Sequence, residues 1–299
     1  MRKSLQRSGI MLAGLMLATG AGAAEGGKKD ADGRKVIALI AGPDSHGYGM
    51  HEHYAGMKLA GGLLNENVPG VKAEVFKEWP VASNALEHVA AIIVFADGGG
   101  GNILLAHMKE LEPLMKRGVG LGVIHWALEA PKGEEGDRML DWIGGYFECN
   151  WSVNPFWTAR FETLPEHPVT RGVRPFSIHD EWYYHIRFPE KMDGVTPILT
   201  DVPPDEAHDG GDSPYGGNAT VRARKGMPEH VMWVCQRPGG GRGFGFTGVH
   251  AHGNWAQDDF RKLLLNAMVW IAGAEVPENG VKSQTPTLAE LEKLILKKR

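Results

Sequence analysis

Short, wholly apolar runs alternate along the chain with longer stretches in which apolar residues recur at helical spacing. VIALIA at 36–41, AIIVFA at 91–96 and GLGVI at 120–124 are too short for buried helices and too continuous for half-exposed strands. Such runs are strands covered on both faces, as in parallel sheets. Residues 52–66 and 103–117, rich in Ala, Leu, Met and Lys, read as helices. Between them 72–76 alternates as a short strand and 86–89 reads as a brief helix. Further on come a short helix at 136–145, an aromatic stretch at 146–157, strands at 157–162 and 195–199, and strands at 230–235 and 242–247 around a Pro-Gly-Gly-Gly turn. An amphipathic helix at 258–272 follows. Strands alternating with helices predict one α/β domain over 34–273, built on a doubly wound, mostly parallel sheet.

Polar and breaker-rich stretches mark the rest. Residues 201–218, dense in Pro, Gly and Asp, read as a surface excursion or lid. Beyond Pro277 a linker leads to TLAE at 287–290, a capping-box pattern opening a last helix within 274–299. At the other end, Arg2, Lys3 and Arg7 precede a short apolar run at 10–18 and AGA at 21–23. That is the layout of an export signal over 1–24, cut near Ala23 or Ala24, with a disordered leader at 25–33. It implies a periplasmic or secreted protein. The apolar run is too short to span a bilayer, and no later segment qualifies.

Losing Arg2, Lys3 and Arg7 with the signal takes the formal charge from −4 to about −7, which argues against nucleic acid or an anionic membrane as partner. Self-association into a homo-oligomer is left open. The two cysteines, Cys149 and Cys235, make no disulfide framework, although export permits a pair.

The chemistry gathers where apolar strands end. HGYGMHEH at 46–53 follows the first strand, DGGGG at 97–101 the third, His125-Trp126 the fourth, and GVHAHGNW at 248–255 the last. Parallel strands point one way, so these ends share an edge, where open α/β sheets bind ligands. The glycines at 98–101 expose backbone N–H groups able to hold an anionic or carbonyl oxygen, and without a following Lys-Thr they are no P-loop.

Taken together, HGxGxHEH at 46–53, IHWA at 124–127, HPVT at 167–170, DEWYY at 180–184 and GRGF at 241–244 with GVH at 248–250 resemble the ThuA-like (trehalose-utilisation) family. The resemblance runs collinearly from about Arg34 to Gly273. It implies a flavodoxin-like fold of the class I glutamine-amidotransferase-like superfamily and a role in sugar metabolism, including oxidised disaccharides. In amidotransferases of that fold a cysteine nucleophile sits on the elbow after a central strand. Here the elbow holds His125 and the position of the base holds His250, so glutaminase chemistry lacks its thiolate.

Imidazoles at several converging strand ends suit a divalent metal, zinc first, with manganese or iron as alternatives. The candidate ligands are His46, His53, His125, Glu181 and His250. Glu52, Asp180 and His252 are the candidate acid–base groups. Asp97, Gly98, Gly99, Trp126, Tyr183, Asn254 and Trp255 are candidate substrate contacts, the aromatics serving as sugar platforms or as core. His51 stands as an orienting group, and His167, in a His-Pro turn, as structural. A metal-dependent enzyme acting on a sugar or keto-glycoside, by hydrolysis, elimination or isomerisation, is one reading. A non-catalytic exported carbohydrate-binding module is the other.

Overall fold

The structure, a computed structural model, describes residues 29–82 and 84–295; the export signal expected at 1–24 lies outside them. β1 (Lys35–Ala41) shows how the apolar runs are used. Ile37, Leu39 and Ala41 enter one core and Val36, Ala38 and Ile40 the other, all fully buried. A strand covered on both faces needs no polar alternation. Just ahead of it, the Asp30 carboxylate accepts the N–H groups of Asp32 and Arg34 in a turn.

After β1 the chain forms α1 (His53–Asn67), β2 (Val71–Lys77), β3 (Ala91–Phe95), α2 (Ile103–Ala106), α3 (Met108–Lys116), β4 (Gly120–Ile124) and α4 (Glu134–Ile143). A two-stranded antiparallel sheet follows, β5 (Phe156–Phe161) against β6 (Phe176–Glu181). Then come β7 (Val195–Asp201), α5 (Ala219–Arg222), β8 (Glu229–Gln236), β9 (Arg242–Phe246), α6 (Asp258–Ile271) and α7 (Leu288–Leu294).

Among the described residues seven strands form one sheet in the order β2-β1-β3-β4-β9-β8-β7. The first five are mutually parallel, and β8 and β7 extend the sheet antiparallel, each to its neighbour. The result is the mostly parallel, flavodoxin-like α/β domain expected. One face carries α1, α6 and the apolar side of the β5–β6 hairpin (Met57, Leu64, Leu263, Trp157, Phe161); the other carries α2, α3 and α4 (Leu104, Leu111, Met139, Trp142). No helix among the described residues is long and apolar enough to cross a membrane.

Three local readings change. Residues 84–88 are a hydrogen-bonded turn, because Ala85 and Glu87 bond three residues back and the pattern does not propagate. The helix expected over 103–117 breaks at His107, which stands at the N-cap position of α3 while its ring stacks on Trp79 at 4.3 Å and bonds the Glu110 carboxylate. The excursion at 201–218 is fastened down: the N–H groups of Asn150 and Asn154 donate to the carbonyls of Pro214 and Tyr215, and His208 is fully buried.

Candidate metal centre

β1, β3, β4 and β9 run parallel, so the turns after them meet at one edge, and β6 brings Asp180 and Glu181 to the same place. The turns are sharp. His46 (φ 63°), His51 (φ 49°), His125 (φ 58°) and Val249 (φ 77°) all adopt left-handed backbone, a conformation that costs an L-residue on the order of 1–2 kcal/mol. Hydrogen bonds hold it in place. The N–H of His51 donates to the His250 carbonyl (3.1 Å), the N–H of His252 to the Gly49 carbonyl (2.9 Å), and the Gly49 N–H to Glu52 Oε1 (2.9 Å). The turns after β1 and β9 are therefore zipped together, bringing the His51 and His250 rings edge to face, centroids 4.7 Å apart. Gly98 lets the third turn close: a Cβ there would stand 2.4 Å from Trp126 Cδ1.

Four buried side chains, His51, His125, Glu181 and His250, each place a donor atom within 4.8 Å of the other three. His51 Nε2 lies 3.0 Å from His250 Nδ1 and 3.1 Å from His125 Nε2. Glu181 Oε2 lies 3.1 Å from His250 Nδ1 and 3.4 Å from His125 Nε2. The other carboxylate oxygen accepts from Asn154 Nδ2 at 3.1 Å, an orienting contact that no sequence motif marks. The Tyr183 ring stacks on His125 at 4.5 Å, with its hydroxyl 3.0 Å from His125 Nε2.

The Thr247 carbonyl can only accept, so His125 Nδ1, 2.7 Å away, donates to it. Asp97 Oδ1 likewise accepts from His51 Nδ1 at 2.8 Å. With both rings neutral, each turns a bare Nε2 lone pair inward, and the two meet at 3.1 Å. A carboxylate oxygen joins them. The only protons at hand are one on His250 and that of Tyr183, and His250 Nε2 is buried without a hydrogen-bond partner. A cation at the centre relieves the crowding of lone pairs. Two donors on a tetrahedral zinc-sized ion stand about 3.4 Å apart, near the observed separations. The set can hold a divalent metal ion, with His125 oriented by the Thr247 carbonyl and His51 by the Asp97 carboxylate behind it.

Several expected site residues stand elsewhere. His51, read as an orienting group, is central, whereas His53 turns away: its Nδ1 donates to the Pro43 carbonyl at 2.8 Å. His46 is exposed and joins a second group with His51 and Asp97. Asp97 orients His51 rather than facing solvent alone, and the buried Gly98 makes room for Trp126. Of the expected acid–base groups, Glu52 is buried and caps the histidine turn. His252, also buried, faces away from the four donors, towards α7. Asp180 binds backbone: Oδ2 accepts from Val249 N–H at 2.7 Å, and Oδ1 from the N–H groups of Glu181 (2.9 Å) and Ala251 (3.3 Å). Asn254 is tied to the His179 carbonyl at 3.0 Å. Trp255 is fully enclosed and Tyr183 nearly so, which removes both rings as sugar platforms. Phe156, not singled out from the sequence, is 53% exposed and edge-on to His250 at 5.0 Å. Its position opposite Glu181 in the β5–β6 register puts it there.

Burial makes the His51 and His53 imidazoles resist protonation. It pulls His51 from 6.5 to about 3, against the hydrogen bond to Asp97, and pulls His53 from 6.5 to about 4. For Glu181, burial raises the pKa, but the His125 and His250 rings beside its carboxylate outweigh it and bring the carboxyl down to about 2. A histidine with a depressed folded pKa contributes stability that is complete above the unfolded value and is lost as pH falls below about 6.5. The metal-free protein is therefore expected to lose on the order of 2 kcal/mol for each of the His51 and His53 rings by pH 5. Urea midpoints at neutral pH and at pH 5 measure this; equal midpoints would mean that the rings are already charged in the fold.

The ThuA family, described as trehalose utilisation, matches residues 42–271, a span that includes all four donors. No curated protein matches the sequence. Among solved structures, a ThuA-like protein from Bacteroides uniformis aligns with a TM-score of 0.54 at 18% identity, over 81% of this chain and 93% of that one. A cytoplasmic protein from Salmonella typhimurium gives 0.48 at 12% identity, over 79% of this chain and 99% of its own. A ThuA-like protein from Parabacteroides merdae gives 0.47 at 14%, over 84% and 98%. The likeness to the first is one of fold.

Proposed function

The chain belongs to the ThuA, or trehalose-utilisation, family, and from that premise we propose an exported, metal-dependent enzyme acting on a sugar or keto-glycoside by hydrolysis, elimination or isomerisation. One observation carries the reading: two bare imidazole nitrogens and a carboxylate oxygen converge on a point that hydrogen bonds alone leave short of protons. His51, His125, His250 and Glu181 would hold the ion, and three nitrogens with one oxygen suit zinc ahead of manganese or iron. Such an ion supplies Lewis acidity towards a sugar carbonyl or a water.

The chain's own groups do the rest. Asn154 and Asp97 fix the faces of Glu181 and His51. Burial, with the Glu181 charge beside it, holds the Tyr183 hydroxyl far above its ordinary pKa, so it stays a hydrogen-bond donor to any oxygen in the centre. Phe156 and the half-buried Trp126, the latter 5.8 Å from the His46 ring, offer apolar walls for a sugar. Support for export is the N-terminal sequence alone, and the mature N-terminus of the protein recovered outside the cytoplasm tests it.

Metal analysis of the purified protein, followed by turnover on a panel of keto-glycosides and their parent glycosides, tests the enzyme reading. Tight sugar binding with no turnover in the metal-loaded protein would replace it with a binding module.

Thiol chemistry has no place in this site. Burial and the bond to Glu129 push Cys149 up to about 11, and burial pushes Cys235 to about 11. Both are free thiols, and neither belongs to the donor set. The Cys149→Ser, Cys235→Ser double variant is expected to keep its metal content and turnover, losing about 1–2 kcal/mol of stability. A folded, metal-loaded but inactive double variant would show that a thiol does the work.

A further inference from the structure

The metal position described above uses His51 through Nε2, and Nδ1 of the same ring faces a different set of donors. There Asp97 Oδ1 stands 2.8 Å away, and His46, His51 and Asp97 each place a donor atom within 4.8 Å of the other two. The His46 ring lies against that of His51, centroids 3.7 Å apart. His53 closes the group from the protein side. It is fully buried and donates through Nδ1 to the Pro43 carbonyl at 2.8 Å, which leaves the Nε2 of the neutral ring as a lone pair. That nitrogen has no hydrogen-bond partner and stands 3.6 Å from Asp97 Oδ1. A buried nitrogen lone pair facing a carboxylate oxygen with no proton between them is unfavourable. A water could donate to both atoms, whereas a cation would also draw on His46 and His51, displacing the Ser45 hydroxyl that lies 2.8 Å from both His46 Nδ1 and Asp97 Oδ1.

We infer that this group is a second divalent-cation site, held by Asp97, His46 and Nδ1 of His51, with His53 Nε2 behind it. His51 is then shared: as the second ion binds, the Nδ1 proton leaves to solvent and Asp97 changes from accepting that proton to binding the ion. The inference rests on the reading that the four-residue cluster holds the first ion. Zinc fits both sets, since each offers imidazole nitrogen and carboxylate oxygen.

The test is equilibrium dialysis of the metal-free full-length protein against zinc at neutral pH, with bound metal counted per chain. Two equivalents are expected for the native protein. One is expected for His46→Ala, whose exposed side chain can be removed without opening the core, and one for Asp97→Asn. Urea unfolding of both variants separates lost binding from lost fold. A native protein that binds a single equivalent, unchanged in His46→Ala, overturns the second site and leaves the first standing. A protein that binds none overturns both.

Discussion

Replacing His125 with alanine is expected to lower the affinity for a divalent ion by at least about 100-fold, because it removes one imidazole from a four-donor site. His125 Nε2 has His51, Glu181 and Tyr183 all within 3.4 Å. Its direction is over-determined: left-handed backbone aims the ring, Thr247 fixes its proton and Tyr183 covers one face. Competition with a chromophoric chelator at neutral pH measures the loss. The ring is fully buried, so the variant also leaves a cavity and should unfold about 1–3 kcal/mol more easily. Added imidazole distinguishes the two effects, because the free ring can refill that cavity and restore part of the affinity without altering the chain. An alanine variant that binds zinc as tightly as the parent would place the ion somewhere other than this cluster.

Why His125 was readable from the sequence and His51 was not follows from how each is placed. His125, Asp97 and His250 sit directly after apolar runs, and parallel strands carry their ends to one edge whatever the loops do. Any residue in that register position lands near the centre. Within HGYGMHEH there is no such register. Three imidazoles occupy eight residues, and which one points inward depends on left-handed turns at His46, Gly49 and His51. Composition does not encode that choice. The zip between Met50 and Ala251, which seats His51 against His250, joins positions two hundred residues apart. The strand pattern of β5 was legible in its strict alternation, but its pairing with β6, which brings Phe156 beside Glu181, was not. Trp255 illustrates the same limit, since an aromatic residue at a strand end is equally good as a platform or as core, and here α1 leaves its ring no outlet.

Asp180 is expected to show the second large effect, through position rather than contact with an ion. Its carboxylate accepts three backbone N–H groups, those of Glu181, Val249 and Ala251, at 1% exposure. Two of these amides flank His250 and the third belongs to Glu181, so one side chain places two of the four donors. Val249 makes the dependence acute, because a β-branched residue at φ 77° persists only where its surroundings force it. Asp180→Ala leaves three backbone amides, two of them buried, without this acceptor and should cost about 3–5 kcal/mol. Asp180→Asn keeps one acceptor oxygen, so it should fold and yet lose about 10- to 100-fold in zinc affinity, as when the support behind a ligand is removed. Adding Val249→Gly to Asp180→Asn separates support from ligation. Glycine adopts that φ without steric cost, so the turn can regain its shape and the double variant should recover part of the lost affinity, although deleting the buried Val249 side chain costs stability of its own. Zinc titrations on the single and double variants read the affinity, and urea midpoints confirm that each is folded. A double variant that binds zinc no better than Asp180→Asn would mean that the carboxylate acts on the ion by some route other than holding this turn.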